Sequence, residues 1–181
     1  MEANESQELQ EHAEHGAHES TLRPVAFTMS ALAVFVAVTT LLGHRTSTEV
    51  ILYQNQATDT WNQYQAHKIR SYNTTLSQDL LTVTVVSDKA AAAKLANDYA
   101  SHQKKWNDEL EEEQKQAEAL QTKVELTEAR EDRFDLAEAL LEIGLVITSV
   151  TLLTKSRMYW YLGLGFSALG VAAVVSAFLL K

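Results

Sequence analysis

The chain has 181 residues, a formal net charge of −9 and no cysteine. Its pI near 5.1 argues against nucleic acid as a partner, because no basic patch is available to neutralise phosphates. The lack of cysteine excludes disulfides, thiolate catalysis and cysteine-based metal sites. The apolar residues collect in three runs with the charges between them, a pattern typical of membrane-spanning chains.

Residues 1–22 are predicted to form a disordered acidic tail, since they contain glutamate and histidine but few large apolar residues. His12, His15 and His18, with nearby glutamates, offer donors that zinc, nickel or copper accept. Steps of three and six residues do not bring all three histidines onto one face of a rigid helix. We therefore favour a solvated tail whose histidines titrate near neutral pH, and we expect no metal and no cofactor.

The first apolar run, "PVAFTMSALAVFVAVTTLLG", predicts a transmembrane helix over residues 24–43. Its uncharged part is about as long as the roughly 20 residues that cross a hydrocarbon core. Pro24 suits the first position of a helix and Gly43 suits its end. No basic region precedes the run and no A-x-A site follows it, so we expect a retained helix rather than a cleaved signal peptide.

Residues 45–133 are predicted to form a long antiparallel helical hairpin that resembles a coiled coil. Neither glycine nor proline occurs between Gly43 and Gly144, which indicates long, uninterrupted helix. The best break lies near residues 84–88, where Ser87 or Asp88 can cap a second helix before a run of alanines. The β-branched stretch 80–86 leaves a short strand open as an alternative to a fraying helix end.

The segment "WNQYQAHKIR", Trp61 to Arg70, has two interpretations. Folding the arms about residues 87–88 brings Lys68 near Trp106, which favours packing between the arms with a cation–π contact. Alternatively, exposed aromatic and arginine side chains act as hot spots for a protein partner or a second subunit. The candidate interaction residues are Trp61, Tyr64, Lys68, Arg70 and Trp106.

A second transmembrane helix is predicted over residues 134–154, although its first half carries Asp135, Glu138 and Glu142. Steps of three and four residues put these carboxylates on one helix face. An ionisable residue within a span suggests a proton or cation path through an oligomer, with Glu142 as its buried member. The structural alternative pairs Asp135 and Glu138 with His44 or Arg45 of the first span.

A third transmembrane helix is predicted over residues 159–180, and it opens with an aromatic cluster typical of the lipid interface. Its small residues recur at four-residue steps that let helices approach closely in lipid. These residues include Gly163, Ser167, Ala168, Ala172 and Ser176.

The loop 154–158 carries Lys155 and Arg157, so the positive-inside rule predicts that it is cytoplasmic. With three spans, the N-terminal tail is then cytoplasmic and the hairpin lies outside, in the periplasm for an inner-membrane protein. Basic residues at the base of the hairpin oppose this orientation: His44, Arg45, Arg130 and Arg133.

Two motifs are the most specific part of a family resemblance. They are W-x-x-Y-Q-A-x-x-x-R, from Trp61 to Arg70, and R-F-D-L-x-E, from Arg133 to Glu138. From about residue 22 to its end, the chain resembles the bacterial membrane proteins catalogued as domain of unknown function 4337. The resemblance implies a three-span membrane protein and transfers no activity.

No nucleophile elbow, P-loop, dinucleotide turn or zincin motif occurs, so we do not expect an enzyme. We expect an all-α integral membrane protein that acts as a self-associating scaffold or interaction protein. The alternative is a small subunit of an oligomeric ion- or proton-conducting assembly that uses Glu142. The expected partners are membrane lipid, further copies of the chain and an unidentified protein, with no nucleic acid.

Overall fold

The computed structural model describes residues 22–85 and 87–180, which form three helices and contain no strand. Helix α1 comprises Arg23–Val83, helix α2 comprises Lys89–Thr154, and helix α3 comprises Arg157–Leu179. The predicted all-α class is therefore confirmed for the described residues. The short strand left open at 80–86 is not formed by residues 80–83, which belong to α1.

The first two helices are long because nothing in the sequence interrupts them. Pro24 lies in the first turn of α1, where backbone N–H groups have no acceptor within the helix. The N–H group that proline lacks therefore costs no hydrogen bond there. Asp88 caps α2, since its Oδ1 accepts the backbone N–H groups of Ala90 and Ala91 at 3.0 Å each. The alanines that follow are strong helix formers, so the break and the new helix both follow from local sequence.

The described residues divide into two compact units. Unit 1 takes residues 22–50 of α1, residues 126–154 of α2 and all of α3. Unit 2 takes residues 51–85 and 87–125.

The core of unit 1 lies between α1 and α2. Met29, Leu32 and Val36 of α1 pack against Leu141 and Leu145 of α2. Steps of three and four residues keep these side chains on one face of each helix, the spacing of a coiled-coil seam. This seam is the buried apolar cluster of unit 1, and its side chains hold the two helices together by close packing.

Helix α3 packs on α2 through small side chains. Its buried residues are Gly163, Ser167, Gly170 and Ala177. Of the predicted small residues, Gly163 and Ser167 therefore face the same chain, whereas Ala168 and Ala172 are exposed. Trp160 of the aromatic cluster donates its Nε1–H to Thr28 Oγ1 of α1 at 3.4 Å, which ties the start of α3 to α1.

Unit 2 is an antiparallel pair of helical arms with a partly polar seam. Nδ1 of His67 lies 2.8 Å from Oε1 of Glu113. Gln103 Nε2 donates to Ser71 Oγ at 2.9 Å, and Ser71 is itself buried. Closer to unit 1 in sequence, Lys123 Nζ lies 5.9 Å from the ring centroid of Tyr53.

Two contacts between the arms agree with folding the chain about residues 87–88, since the midpoint of Ser71 and Gln103 is residue 87 and that of Tyr53 and Lys123 is residue 88. His67 and Glu113 depart from it, with a midpoint at residue 90. Side chains on a helix lean towards its own N-terminus, so contacting residues in an antiparallel pair each lie C-terminal to their meeting point. Residues 84, 85, 87 and 88 lie outside the helices.

Candidate functional site

Two carboxylates of α2 are held by hydroxyl groups of α1 in unit 1. Thr40 Oγ1 donates to Glu138 Oε1 at 2.6 Å, and Ser47 Oγ donates to Glu131 Oε1 in a short hydrogen bond. Glu131 and Glu138 are seven residues apart, as are Thr40 and Ser47, so the two pairs repeat after two helical turns. All four side chains are partly buried, which makes each charge-assisted hydrogen bond stronger than it would be in water.

The three carboxylates singled out by the sequence have different surroundings. Asp135 is exposed, and its Oδ1 lies 3.9 Å from the point that a Cβ atom would occupy if Gly43 carried one. Glu138 accepts the Thr40 hydroxyl, and within the described residues no ion pair joins Asp135 or Glu138 to His44 or Arg45. At Glu138 a neutral hydroxyl therefore takes the place of the predicted basic partner. Asp135 interacts electrostatically with His44 without forming an ion pair.

Glu142 is half-buried one helical turn beyond Glu138. Across the part of the chain that the structure describes, its side chain makes no hydrogen bond and no ion pair. A carboxylate without such a contact is costly in an apolar helix, and a residue of this kind within a span is a candidate functional site.

Two arginines of α2 hold the end of α3, a role that the sequence analysis missed. Arg130 Nη2 donates to the carbonyl oxygen of Leu180 at 2.8 Å, and Arg133 Nη1 donates to Ser176 Oγ at 3.1 Å. Phe134 adds an edge-on ring contact with Phe178 at 5.7 Å between centroids. The last carbonyls of a helix lack intrahelical partners and carry partial negative charge, so arginine is well suited to them.

The predicted interaction residues of unit 2 form contacts within each arm. Trp61 and Tyr64 make an edge-on contact at 5.5 Å, and Lys68 Nζ lies 5.3 Å from the Tyr64 ring centroid. The structure thus places Lys68 over Tyr64 and not over Trp106, which instead stacks on His102 at 5.6 Å. Arg70 is exposed.

A stripe of large apolar side chains remains exposed on α1 in unit 2. We call it the α1 stripe, and it consists of Ile69, Tyr72, Leu76, Leu80 and Val83. Between 54% and 78% of each of these residues is accessible to solvent. The sequence analysis missed it, although the apolar spacing of three and four residues and the scarcity of charge after Arg70 were visible.

The less favoured interpretation of the tail, a metal site at His12, His15 and His18, concerns residues outside those that the structure describes. Within residues 22–85 and 87–180, no three His, Asp or Glu side chains are grouped so as to hold a metal ion. The carboxylates of unit 1 are spread along the helices, so they do not converge on one point.

Residues 22–85 and 87–180 form three helices that are long and apolar enough, by length and composition, to cross a membrane. The chain belongs to the family described as domain of unknown function 4337, whose model matches residues 21–180. The family named by the resemblance is thereby confirmed. No curated protein and no solved structure matches the chain.

Proposed function

We propose that this protein is a non-enzymatic, multi-pass membrane protein whose copies associate, and that it acts as a scaffold or interaction protein. The observation that carries the proposal is the exposed α1 stripe, which lies outside the apolar sequence runs 24–43, 134–154 and 159–180. Soluble surfaces rarely expose a contiguous row of large apolar side chains unless another molecule covers it. Such a row on an extramembrane arm favours binding to another protein.

The proposed membrane arrangement places residues 24–43, 134–154 and 159–180 in the bilayer and unit 2 outside it. Three helices of sufficient length and apolarity support this arrangement. The short connection with Lys155 and Arg157 favours a cytoplasmic position for residues 154–158 and for the N-terminal tail. Unit 2 then lies on the opposite side, in the periplasm if the membrane is a bacterial inner membrane.

Unit 1 leaves less of its small-residue surface for self-association than the sequence suggested. Gly163, Ser167 and Gly170 are buried against α2 of the same chain. Close packing of small residues in the span is therefore an intramolecular feature. This supports assigning association to unit 2 and not to the buried face of α3.

A second candidate function is a small subunit of an ion- or proton-conducting assembly. The observation that favours it is the half-buried Glu142 side chain, which has no hydrogen bond or ion pair within the described residues. Three spans do not enclose a path, so conduction also requires association of copies. Both candidates therefore depend on the same first test.

Co-purification of two differently tagged copies of the full chain tests association. The copies are expressed together, extracted from membranes with mild detergent and captured through one tag. We expect the second tag in the eluate, and none when the two copies are expressed separately and mixed only after extraction. Loss of the second tag from the co-expressed sample would contradict both candidate functions.

A further inference from the structure

The two arms of unit 2 have outer faces of opposite character. On α1, at roughly 100° per residue, the α1 stripe falls within an arc of about 80°. Nearer the N-terminus of the arm, the same face continues in exposed, uncharged side chains: Gln54, Asn55, Thr58, Asn62 and Gln65. Asp79 lies at the edge of the stripe and is exposed.

The outer face of α2 is charged along its whole length in unit 2. Its exposed acidic and basic side chains include Asp98, Lys104, Lys105, Asp108, Glu111, Glu112, Lys115, Glu118 and Glu125. Two of its pairs, Lys115–Glu111 and Lys105–Glu109, are i,i+4 ion pairs on the same helix. This face is typical of a solvated helix. Unit 2 therefore has a charged, solvated surface on α2 and an apolar, exposed surface on α1.

Charge also decides between a protein and a membrane surface as the occupant of the α1 stripe. No lysine or arginine occurs from Ser71 to Asp88, so this part of the arm has no attraction for anionic headgroups. The apolar side chains run along the side of the helix from Ile69 to Val83 and are not confined to its tip. A row with steps of three and four residues matches the surface of another helix.

We propose that the α1 stripe is the surface on which a second copy of this chain docks, stripe against stripe. This inference rests on the proposed self-association and names its contact surface. Copies anchored in one bilayer share one orientation, so a two-fold axis along the membrane normal brings each stripe against its own equivalent. The contact joins α1 to α1 and leaves both charged α2 faces in water.

The area available is adequate for such a contact. Five large side chains, each more than half exposed, offer on the order of 500 Å² of apolar surface per copy. The uncharged side chains on the same face enlarge the area available for contact. A standard interface buries about 800 Å² per partner. Because the copies share a membrane, their effective concentration is high, and a contact of this size is sufficient to hold them together.

The absence of native cysteine makes a direct cross-linking test possible. Leu76→Cys places one thiol at the centre of the stripe, and Lys105→Cys places one on the charged face of α2. Both variants of the full chain are oxidised in native membranes with copper phenanthroline and run on a non-reducing gel. We expect a disulfide-linked dimer for Leu76→Cys and a monomer for Lys105→Cys.

A charge substitution provides a second, independent measurement. Leu76→Glu places two carboxylates opposite each other at the two-fold axis, so we expect at least about a tenfold rise in the dissociation constant of the dimer. Leu95→Glu changes an exposed leucine of the other arm and should leave that constant unchanged. Leu76 is 58% exposed, so folding does not depend on its burial.

Three outcomes would overturn the assignment. If wild-type copies do not co-purify, self-association and its surface both fail. If they co-purify but Leu76→Cys does not cross-link and Leu76→Glu associates normally, the copies meet elsewhere. If a fluorophore on Leu76→Cys is quenched by nitroxide-labelled lipid in vesicles of that variant, a bilayer covers the stripe instead of a second copy.

Discussion

Gly144 and Gly163 lie against each other where α2 and α3 cross. A Cβ on Gly163 would lie 2.7 Å from the carbonyl oxygen of Gly144, and a Cβ on Gly144 would lie 2.9 Å from that of Gly163. Thr148 and Ser167 flank the crossing and donate their hydroxyls to these two carbonyl oxygens at 2.7 and 2.8 Å. Only glycine allows two helix backbones to approach this closely.

Gly163→Ala should destabilise unit 1, because the new methyl group would overlap backbone atoms of α2. The expected loss is about 1–3 kcal/mol in the free energy of unfolding, the usual cost of overpacking. Gly165→Ala is the matched control, since a Cβ there has no atom within 4 Å and alanine favours helix by about 1 kcal/mol over glycine. Thermal unfolding in detergent should rank Gly165→Ala at or above wild type and Gly163→Ala below it; the reverse order would contradict the close crossing.

Thr40→Val should destabilise the α1–α2 seam, because it leaves the partly buried Glu138 carboxylate without its hydroxyl donor. The expected loss is about 1–3 kcal/mol, the cost of an unsatisfied buried polar group. Thr48→Val is the control, since Thr48 is exposed and its hydroxyl bonds only the His44 carbonyl of its own helix. Chemical denaturation measures both variants.

Replacing both partners tests the cause of that loss. In Thr40→Val with Glu138→Leu, no charge remains to be satisfied, and apolar pairs of similar shape are often nearly neutral. The double variant should therefore recover much of the stability that Thr40→Val loses. A double variant less stable than the single one would show that Thr40 stabilises the seam by some other contact.

A double-mutant cycle on His67→Leu and Glu113→Gln should reveal coupling between the arms of unit 2. Their atoms lie 2.8 Å apart in a partly buried seam, so a coupling energy of about 0.5–1.5 kcal/mol is expected. The surface pair Lys115 and Glu111 serves as the control. The Lys115 ammonium holds the pKa of the Glu111 carboxyl below its usual value, yet both side chains are in water, so their cycle should show weaker coupling than the His67–Glu113 cycle. Equal coupling in both cycles would contradict the observed register.

Glu142→Gln separates the two candidate functions. A scaffold should remain assembled after this change, because Glu142 makes no hydrogen bond or ion pair within the described residues. A conducting assembly should also remain assembled but should lose proton or cation flux into vesicles that contain it. Flux through wild-type protein that is unaffected by Glu142→Gln would remove Glu142 from the conduction path.

Local sequence was sufficient to predict the helices and the break between the arms. The glycine- and proline-free stretch between Gly43 and Gly144 is helical apart from the connection near residues 84–88, and Asp88 caps the second arm as its position predicted. Individual contacts between the arms were harder to predict, because they depend on how each side chain leans between two helices. Folding the sequence at one point brought Lys68 near Trp106, whereas Lys68 lies over Tyr64 of its own arm.

The side-chain contacts of the candidate site depend on which helix packs against each helix face, and the sequence alone does not show that. Small residues at four-residue steps predicted close packing, but sequence spacing does not distinguish a second copy from α2 of the same chain. Glu138 was expected to meet a basic residue, whereas Thr40 lies opposite it. The contacts of Arg130 and Arg133 with α3 were not predicted, because nothing local to α2 shows that the end of α3 lies beside them.

Native mass spectrometry of the full chain, released directly from membrane vesicles, measures the number of copies in the assembly. If copies associate through unit 2, the spectrum should contain a discrete multiple of 20.2 kDa. That multiple should collapse towards monomer for Leu76→Glu and persist for Leu95→Glu. A wild-type spectrum that contains only monomer at every protein concentration would contradict self-association and, with it, both candidate functions.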